Sequence, residues 1–494
     1  MFRLFVLVLL LTLAIIEYIK PMKKFVFPIT FSALTLMLAL RGGQGTDYFS
    51  YCRIYIHHDS PEYHHEPGFN FVSEIFRNLN LPYTVFVFCF SVTIMVLLYF
   101  IVTKACENKF MALFTVYALY YLQFFENGVR QAMAMMLVLL GFILAAKKQK
   151  IWYTLFFPLL GFMFHTSGIV GLIFILPYIS VKWKSLDNLI RKRSVIFSVL
   201  FAFVCVSLLY ISQWQKLWNY LSLLPENLYA RIEPYITTPT FSPMALMSRL
   251  AFLAVIVVLY IGCNGKLSDM NRMLFRGYLI GILLYCALFR SELVSSRFNA
   301  YLKVIEIVLI PNLIGHFTLK NILKPLFVSR LAEKKRWLDM SVKACVVIVT
   351  VGLLGFMYLK TTKDVMGQSK YNNPGYIYPY FTVFNMKDMY SFREAPGYVY
   401  EEYYAMMERE QPQQIGFNDS FSDTYFPLLS SPYKISTFRT VPEALSPSGS
   451  VVSLLELENT DNIYSEKDYV EIKEKDTYKE DHYRRVKDLL EDRK

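Results

Sequence analysis

The residues able to do chemistry in this chain sit where long apolar runs break off. The first break reads RGGQGTDYFSYCRIY, from Arg41 to Tyr55. Arg41 and Asp47 bring opposite charges there, and the glycines allow tight turns and close backbone approach. Tyr48 and Tyr51 offer flat apolar faces with a polar tip. The second break, HHDSPEYHHEPGFNF at 57–71, holds His57, His58, His64 and His65 beside Asp59, Glu62 and Glu66. The third, FFENGVRQ, puts Arg130 at the head of an apolar helix, with Glu126 one helical turn before it as a partner. The fourth, FHTSG, carries His165, whose imidazole titrates near neutrality and can accept a proton. The fifth, RSELVSSRF, carries Arg290 and Arg297, and a guanidinium matches phosphate oxygens two at a time. Together these residues describe a cavity for an anionic, hydroxyl-rich substrate.

Each break also has a plainer explanation. Arg41 can snorkel at a helix end. Arg130 near an interface costs less than the roughly 2.5–3.5 kcal/mol of a charge at a helix centre. A lone histidine between apolar runs can serve only to hydrogen-bond neighbouring helices. GGQGTD lacks the spacing of a nucleotide-binding P-loop. The histidines and carboxylates at 57–66 match no closed metal-ligand motif. Glu66-Pro67-Gly68 reads as a turn leading into the apolar helix FNFVSEIF.

The elements that must carry these residues are membrane spans. The 494 residues are 55% hydrophobic but only 18% charged, against about 25% charge in soluble domains. The apolar residues come in blocks without strict alternation, which points to helices rather than a barrel. The expected fold is all-α, a polytopic bundle of twelve spans near 2–19, 25–40, 83–103, 110–126, 129–146, 151–164, 167–181, 194–212, 244–262, 273–289, 299–316 and 342–359. The first run lacks a signal-peptide cleavage site and another run follows at once, so it reads as a retained span. The two runs beside His165 are short and read as tilted, broken or re-entrant. Seven scattered cysteines form no CxxC pair and read as small core residues.

Lysines and arginines cluster in alternate connections, at 20–24, 104–109, 147–150, 182–193, 266–272 and 320–336. Cationic loops mark the cytoplasmic side, so all five chemical breaks fall on the outer side. The net charge of +12 is uneven: residues 391–494 hold 13 Lys+Arg and 21 Asp+Glu, or −8, leaving +20 on the rest. This separates a membrane domain, 1–390, from an acidic hydrophilic tail, 391–494. The basic balance follows the positive-inside rule, and no nucleic-acid partner is expected.

The ordered set Arg41-Gly42-Gly43-Gln44-Gly45-Thr46-Asp47-Tyr48, Glu66-Pro67-Gly68-Phe69, Arg130-Gln131-Ala132-Met133-Ala134 and Phe164-His165-Thr166-Ser167 resembles the EpsG family of bacterial polysaccharide proteins. Ser296-Arg297-Phe298 and Tyr378-Pro379-Tyr380 resemble its downstream pattern more loosely. The resemblance covers roughly 1–390 and implies a Wzy-like polymerase of exopolysaccharide, capsule or O-antigen. Its implied substrate is an oligosaccharide on undecaprenyl diphosphate, at the outer face of the bacterial cytoplasmic membrane. A flippase and a chain-length regulator are the implied partners. On that footing Arg41, Arg130, Arg290 and Arg297 are candidates to hold the diphosphate, and Asp47, His165 and Glu66 are candidates for the base. Tyr48 and Tyr51 would stack on sugars, with Gln131 and Ser167 as motif contacts. Arginines can supply the positive charge without a metal, with Mg²⁺ as the alternative, and no cofactor is expected. Competing functions are a lipid-linked glycan transporter, an acyltransferase using His165, and a glycosyltransferase adding one sugar from a polyprenyl-phosphate donor.

Overall fold

The computed structural model describes residues 2–42, 44, 47–56, 66–81, 83–191, 196, 199–204, 206–207, 243–263, 267–288, 292–317, 336–368 and 382. Among them the chain is helical, and the one extended pairing is an isolated antiparallel bridge between Arg41 and Thr382. In order the helices are α1 (Phe2–Ile19), α2 (Val26–Ala39), α3 (Tyr48–Ile56), α4 (Pro67–Asn78), α5 (Tyr83–Ala105) and α6 (Lys109–Val116). α6 continues as a π-helix (Tyr117–Asn127), followed by α7 (Val129–Lys148) and α8 (Tyr153–Phe162). A 3-10 helix (Thr166–Phe174) runs into α9 (Ile175–Lys182), then come α10 (Lys184–Arg191) and α11 (Pro243–Cys263). α12 (Asp269–Leu288), α13 (Glu292–Lys303), α14 (Glu306–His316) and α15 (Arg336–Gln368) follow. The acidic tail, with the boundary expected near 390, lies outside the described residues.

Among the described residues five helices are long and apolar enough to cross a bilayer: α1, α5, α7, α11 and the Ser341–Thr362 part of α15. Ser295–Lys303 and Glu306–His316, bent by 46°, make a sixth if counted as one broken span. These six coincide with half of the twelve expected runs. Others are shorter helices, and one physical reason shows at Thr166–Lys182. A 3-10 helix rises about 2.0 Å per residue against 1.5 Å for an α-helix. Nine 3-10 residues and eight α residues therefore extend about 30 Å, the thickness of the hydrocarbon core. A run that looks short by residue count is long in space.

The chain forms two compact units. The first comprises 1–34, 65–69 and 93–361. Its centre is α7, whose apolar residues are buried on nearly every side. Small residues let neighbours come close, as membrane helices require: Gly141 faces the Phe157 ring, and Gly161 faces the Ala134 backbone. α1 runs antiparallel to α6 and the π-helix. Arg3 pairs with Glu126 at 2.6 Å, while at the other end of α1 Asn108 donates to the Ala14 carbonyl and Glu17 accepts from the Phe110 amide. At that same end His316 pairs with Glu107, and Lys147 meets the Lys104 carbonyl. The outward residues of α1 and α15, such as Phe5, Ile19 and Ile348, are exposed and apolar. In water they would be a liability; in a bilayer they are the lipid face.

The second unit comprises 35–64, 70–92 and 362–494. Its described core is aromatic. The Tyr83 hydroxyl donates to the Tyr48 carbonyl at 2.9 Å, the two rings meet edge to face, and Tyr55 and Phe76 pack around Phe86.

Candidate functional site

The site of the first unit begins at a helix start. The π-helix ends at Asn127, Gly128 leaves helical geometry (φ −83°, ψ 54°), and α7 begins at Val129. Arg130 and Gln131 therefore occupy the first turn of α7. Arg130 Nη1 pairs with Glu66 Oε2, and its guanidinium lies 5.5 Å from the centre of the Phe69 ring. Glu66 immediately precedes α4. It is held there because the Gly68 amide donates to the Met163 carbonyl at 2.7 Å. A Cβ on Gly68 would also lie 2.7 Å from that oxygen, so the approach requires glycine. The second oxygen of Glu66 accepts from the Thr166 amide at 3.1 Å, at the start of the 3-10 helix. A carboxylate at a helix N-terminus is favoured by the dipole.

His165 is the extended residue before that helix (φ −158°, ψ 125°). Its Nδ1 lies 2.6 Å from Ser167 Oγ and 3.2 Å from the Tyr301 hydroxyl, and Ser167 Oγ donates to Tyr301 at 3.2 Å. Gln131 Nε2 donates to the Arg297 carbonyl at 3.2 Å, tying α7 to α13. Burial pushes the His165 imidazole down to about 4, with the positive charges of Arg130 and Arg297 acting the same way and Glu66 opposing them. The ring is thus neutral at physiological pH.

Glu66, Arg130, Gln131, His165, Ser167 and Arg297, all expected from sequence, therefore meet. Tyr301 was not foreseen. It stands four residues after Arg297 on the same helix, so the i, i+4 spacing was the available signal. The expected pairing of Arg130 with Glu126 is replaced: Glu126 binds Arg3, and Arg130 binds Glu66. The one-turn rule needs a continuous helix, and Gly128 interrupts it.

Arg41, Asp47, Tyr48 and Tyr51 form part of the second unit. Arg41 does not snorkel. It is buried, and its Nη1 donates to the Leu38 carbonyl at 2.7 Å and to Ser91 Oγ at 2.8 Å. Asp47 is half-buried at the head of α3, where its carbonyl accepts from the Tyr51 amide. Tyr48 and Tyr51 are both buried. Arg290, His57, His58, His64 and His65 lie outside the described residues.

No curated protein and no solved structure matches the chain. The family model that does match, the EpsG family, covers residues 24–373. That range contains all four motif stretches and Arg297, and stops short of Tyr378-Pro379-Tyr380. With its apolar spanning helices and a match over most of its length, this membrane protein belongs to the EpsG family, the Wzy-like polymerase family that its motifs resemble.

Proposed function

We propose that the protein polymerises undecaprenyl-diphosphate-linked oligosaccharide repeat units into exopolysaccharide, capsule or O-antigen. The cationic connections support a reaction at the outer face of the bacterial cytoplasmic membrane. One observation carries the proposal: Glu66-Pro67-Gly68-Phe69, Arg130-Gln131, His165-Thr166-Ser167 and Arg297, scattered over nearly half the chain, supply one polar site. In the step envisaged, an acceptor hydroxyl oxygen bonds to the anomeric carbon of the donor sugar. The bond from that carbon to the diphosphate oxygen breaks, and its electron pair leaves with the lipid diphosphate. Arg130 and Arg297 stabilise the leaving charge. Arg290 remains a proposed contact for the same group, and Arg41 a proposed phosphate contact by itself.

The hydroxyl proton needs a base. His165 is neutral and so able to accept it. With Ser167 donating to Tyr301, the Ser167 oxygen is free to accept the Nδ1 proton. That tautomer leaves the Nε2 lone pair open. Both oxygens of Glu66 are committed, to Arg130 and to the Thr166 amide, so Glu66 positions the arginine. Asp47 is the alternative base. A flippase that delivers units and a chain-length regulator are the proposed partners.

The test is polymerisation of lipid-linked repeat units by protein in nanodiscs. Arg130→Ala and His165→Ala should yield unpolymerised units while the protein still inserts. Normal ladders from both would refute the assignment. A single added sugar from the wild type would favour the polyprenyl-phosphate glycosyltransferase instead.

A further inference from the structure

The spans hold a second set of polar groups that the site above does not use. α13 ends at Lys303, α14 begins at Glu306, and the pair is bent by 46°. Broken backbone at membrane depth is tolerated where protein or water satisfies it, and broken helices build substrate sites in membrane proteins. Here the Tyr120 hydroxyl lies 2.9 Å from both the Lys303 carbonyl and Glu306 Oε2, and Lys303 Nζ lies 3.7 Å from the same carboxylate. Arg249 of α11 stands 5.2 Å from the centre of the Tyr285 ring. Glu306 is fully buried and Lys303 nearly so.

Around this break, polar atoms are buried without a hydrogen-bond partner among the described residues: Glu306 Oε1, both amide atoms of Asn299, and Arg249 Nη1. The Tyr278 hydroxyl faces Glu306 without closing a hydrogen bond. The groups come together by helical spacing. Tyr278, Gly281 and Tyr285 share one face of α12, and Asn299 and Lys303 share one face of α13. The faces approach closely because position 281 is glycine: a Cβ there would lie 3.0 Å from Asn299 Oδ1 and 2.6 Å from Leu302 Cβ. An ionisable group inside a span is costly and is retained for function.

We propose that this cluster is a second binding site, which takes the hydroxyl groups of the acceptor carbohydrate. The proposal rests on the polymerase reading, since polymerisation must hold a donor and an acceptor together. The chemistry selects hydroxyls over a second phosphate. Unpartnered acceptors (Glu306 Oε1, Asn299 Oδ1) and unpartnered donors (Asn299 Nδ2, Arg249 Nη1) occur together on α13, α14 and α11. A hydroxyl both donates and accepts, whereas phosphate oxygens only accept and are repelled by the Glu306 carboxylate. α13 links the two sites, presenting Arg297 and Tyr301 to the first and Asn299 and Lys303 to the second.

The experiment uses the full chain in nanodiscs. Its probe is the repeat-unit oligosaccharide freed from its lipid diphosphate, and the readout is its inhibition of polymerisation and its direct binding. Asn299→Ala should weaken that binding about tenfold, the loss of one hydrogen bond, while leaving the melting temperature unchanged or raised. Removing an amide that only lacks partners cannot otherwise weaken a ligand. Glu306→Gln should weaken binding as well; if it does not fold, Asn299→Ala decides alone. Unchanged binding in Asn299→Ala, or no binding of the freed oligosaccharide to wild type, overturns the proposal and leaves a water-filled break. Arg130→Ala separates the two claims. It should abolish polymerisation yet bind the freed oligosaccharide as wild type does; full polymerisation by Arg130→Ala would refute the role given to that arginine, and wild type that binds the freed oligosaccharide but forms no polymer would sink the polymerase reading itself.

Discussion

Two clusters of the first unit use the same ingredients, arginine and carboxylate, to different ends. Asp187 on α10 accepts from Arg272 at 2.8 Å and from Arg276, and Arg276 also donates to Ser180 at 3.0 Å. Every partner there belongs to a cationic connection or its flanking helix, and Arg272 also pairs with the exposed Asp269. The Glu66–Arg130 pair instead adjoins a neutral, half-buried histidine with two hydroxyls at one ring nitrogen. Arg130 and Glu66 keep 16% and 11% of their side-chain surface, while Arg276, Asp187 and Arg272 keep 4%, 8% and 14%, so the neighbouring histidine and not exposure alone sets the two clusters apart. A network of arginines and carboxylates between neighbouring helices, with no proton acceptor beside it, holds those helices together. A pair left partly open beside a proton acceptor can meet a substrate.

The largest expected effect divides the two clusters. Arg130→Ala should cut polymerisation by roughly 10²–10³-fold, as the removal of a preorganised charge stabiliser does, with little change in melting temperature. Equal loss from Arg272→Ala would erase the distinction. Next, Gly68→Ala must displace the Met163 carbonyl and with it Glu66. Misplacing a positioned group by about 1 Å costs on the order of 10²-fold. Turnover assays on this variant should show that loss without loss of membrane insertion, and unchanged turnover would remove the close approach from the account.

Arg276→Ala should act oppositely. Breaking a buried pair costs on the order of 3 kcal/mol, so thermal melts in detergent should shift down while turnover per folded molecule holds within about twofold. The smallest effect concerns pH. The native His165 value of about 4 lies below its ordinary 6.5, so the unfolded chain binds this proton first. The native state therefore loses stability as pH falls from about 6.5 towards 4, and gains nothing from this group above 6.5. Melting curves at pH 7, 5 and 4 should show a decline that His165→Gln lacks. An inflection of the polymerisation rate near 6.5 that vanishes in His165→Gln would mean that the ring titrates normally.

Sequence alone carried the chemistry of the site further than its partnerships. Glu66, Arg130, His165 and Arg297 stand out because charge and apolar runs seldom meet, and the bilayer makes such meetings conspicuous. Arg130 was paired wrongly because Glu126 is near in number, while Glu66 is 64 residues away and reaches it through the packing of Gly68 on Met163. Arg41 was expected at a surface for the same reason: no local signal announces Ser91, 50 residues on, as its acceptor.

What the chain's composition and periodicity settled was its solvent: blocks of apolar residues long enough to span lipid have to be helices, because lipid leaves backbone groups no other partner. The motif residues likewise carried the family. Tertiary structure alone decided which carboxylate each arginine meets, that Tyr301 joins His165, and that a broken span buries Lys303 and Glu306 against Tyr120. Those pairings depend on how helices far apart in sequence turn their faces to one another. A helical period fixes which residues share a face, and says nothing of which face lies opposite.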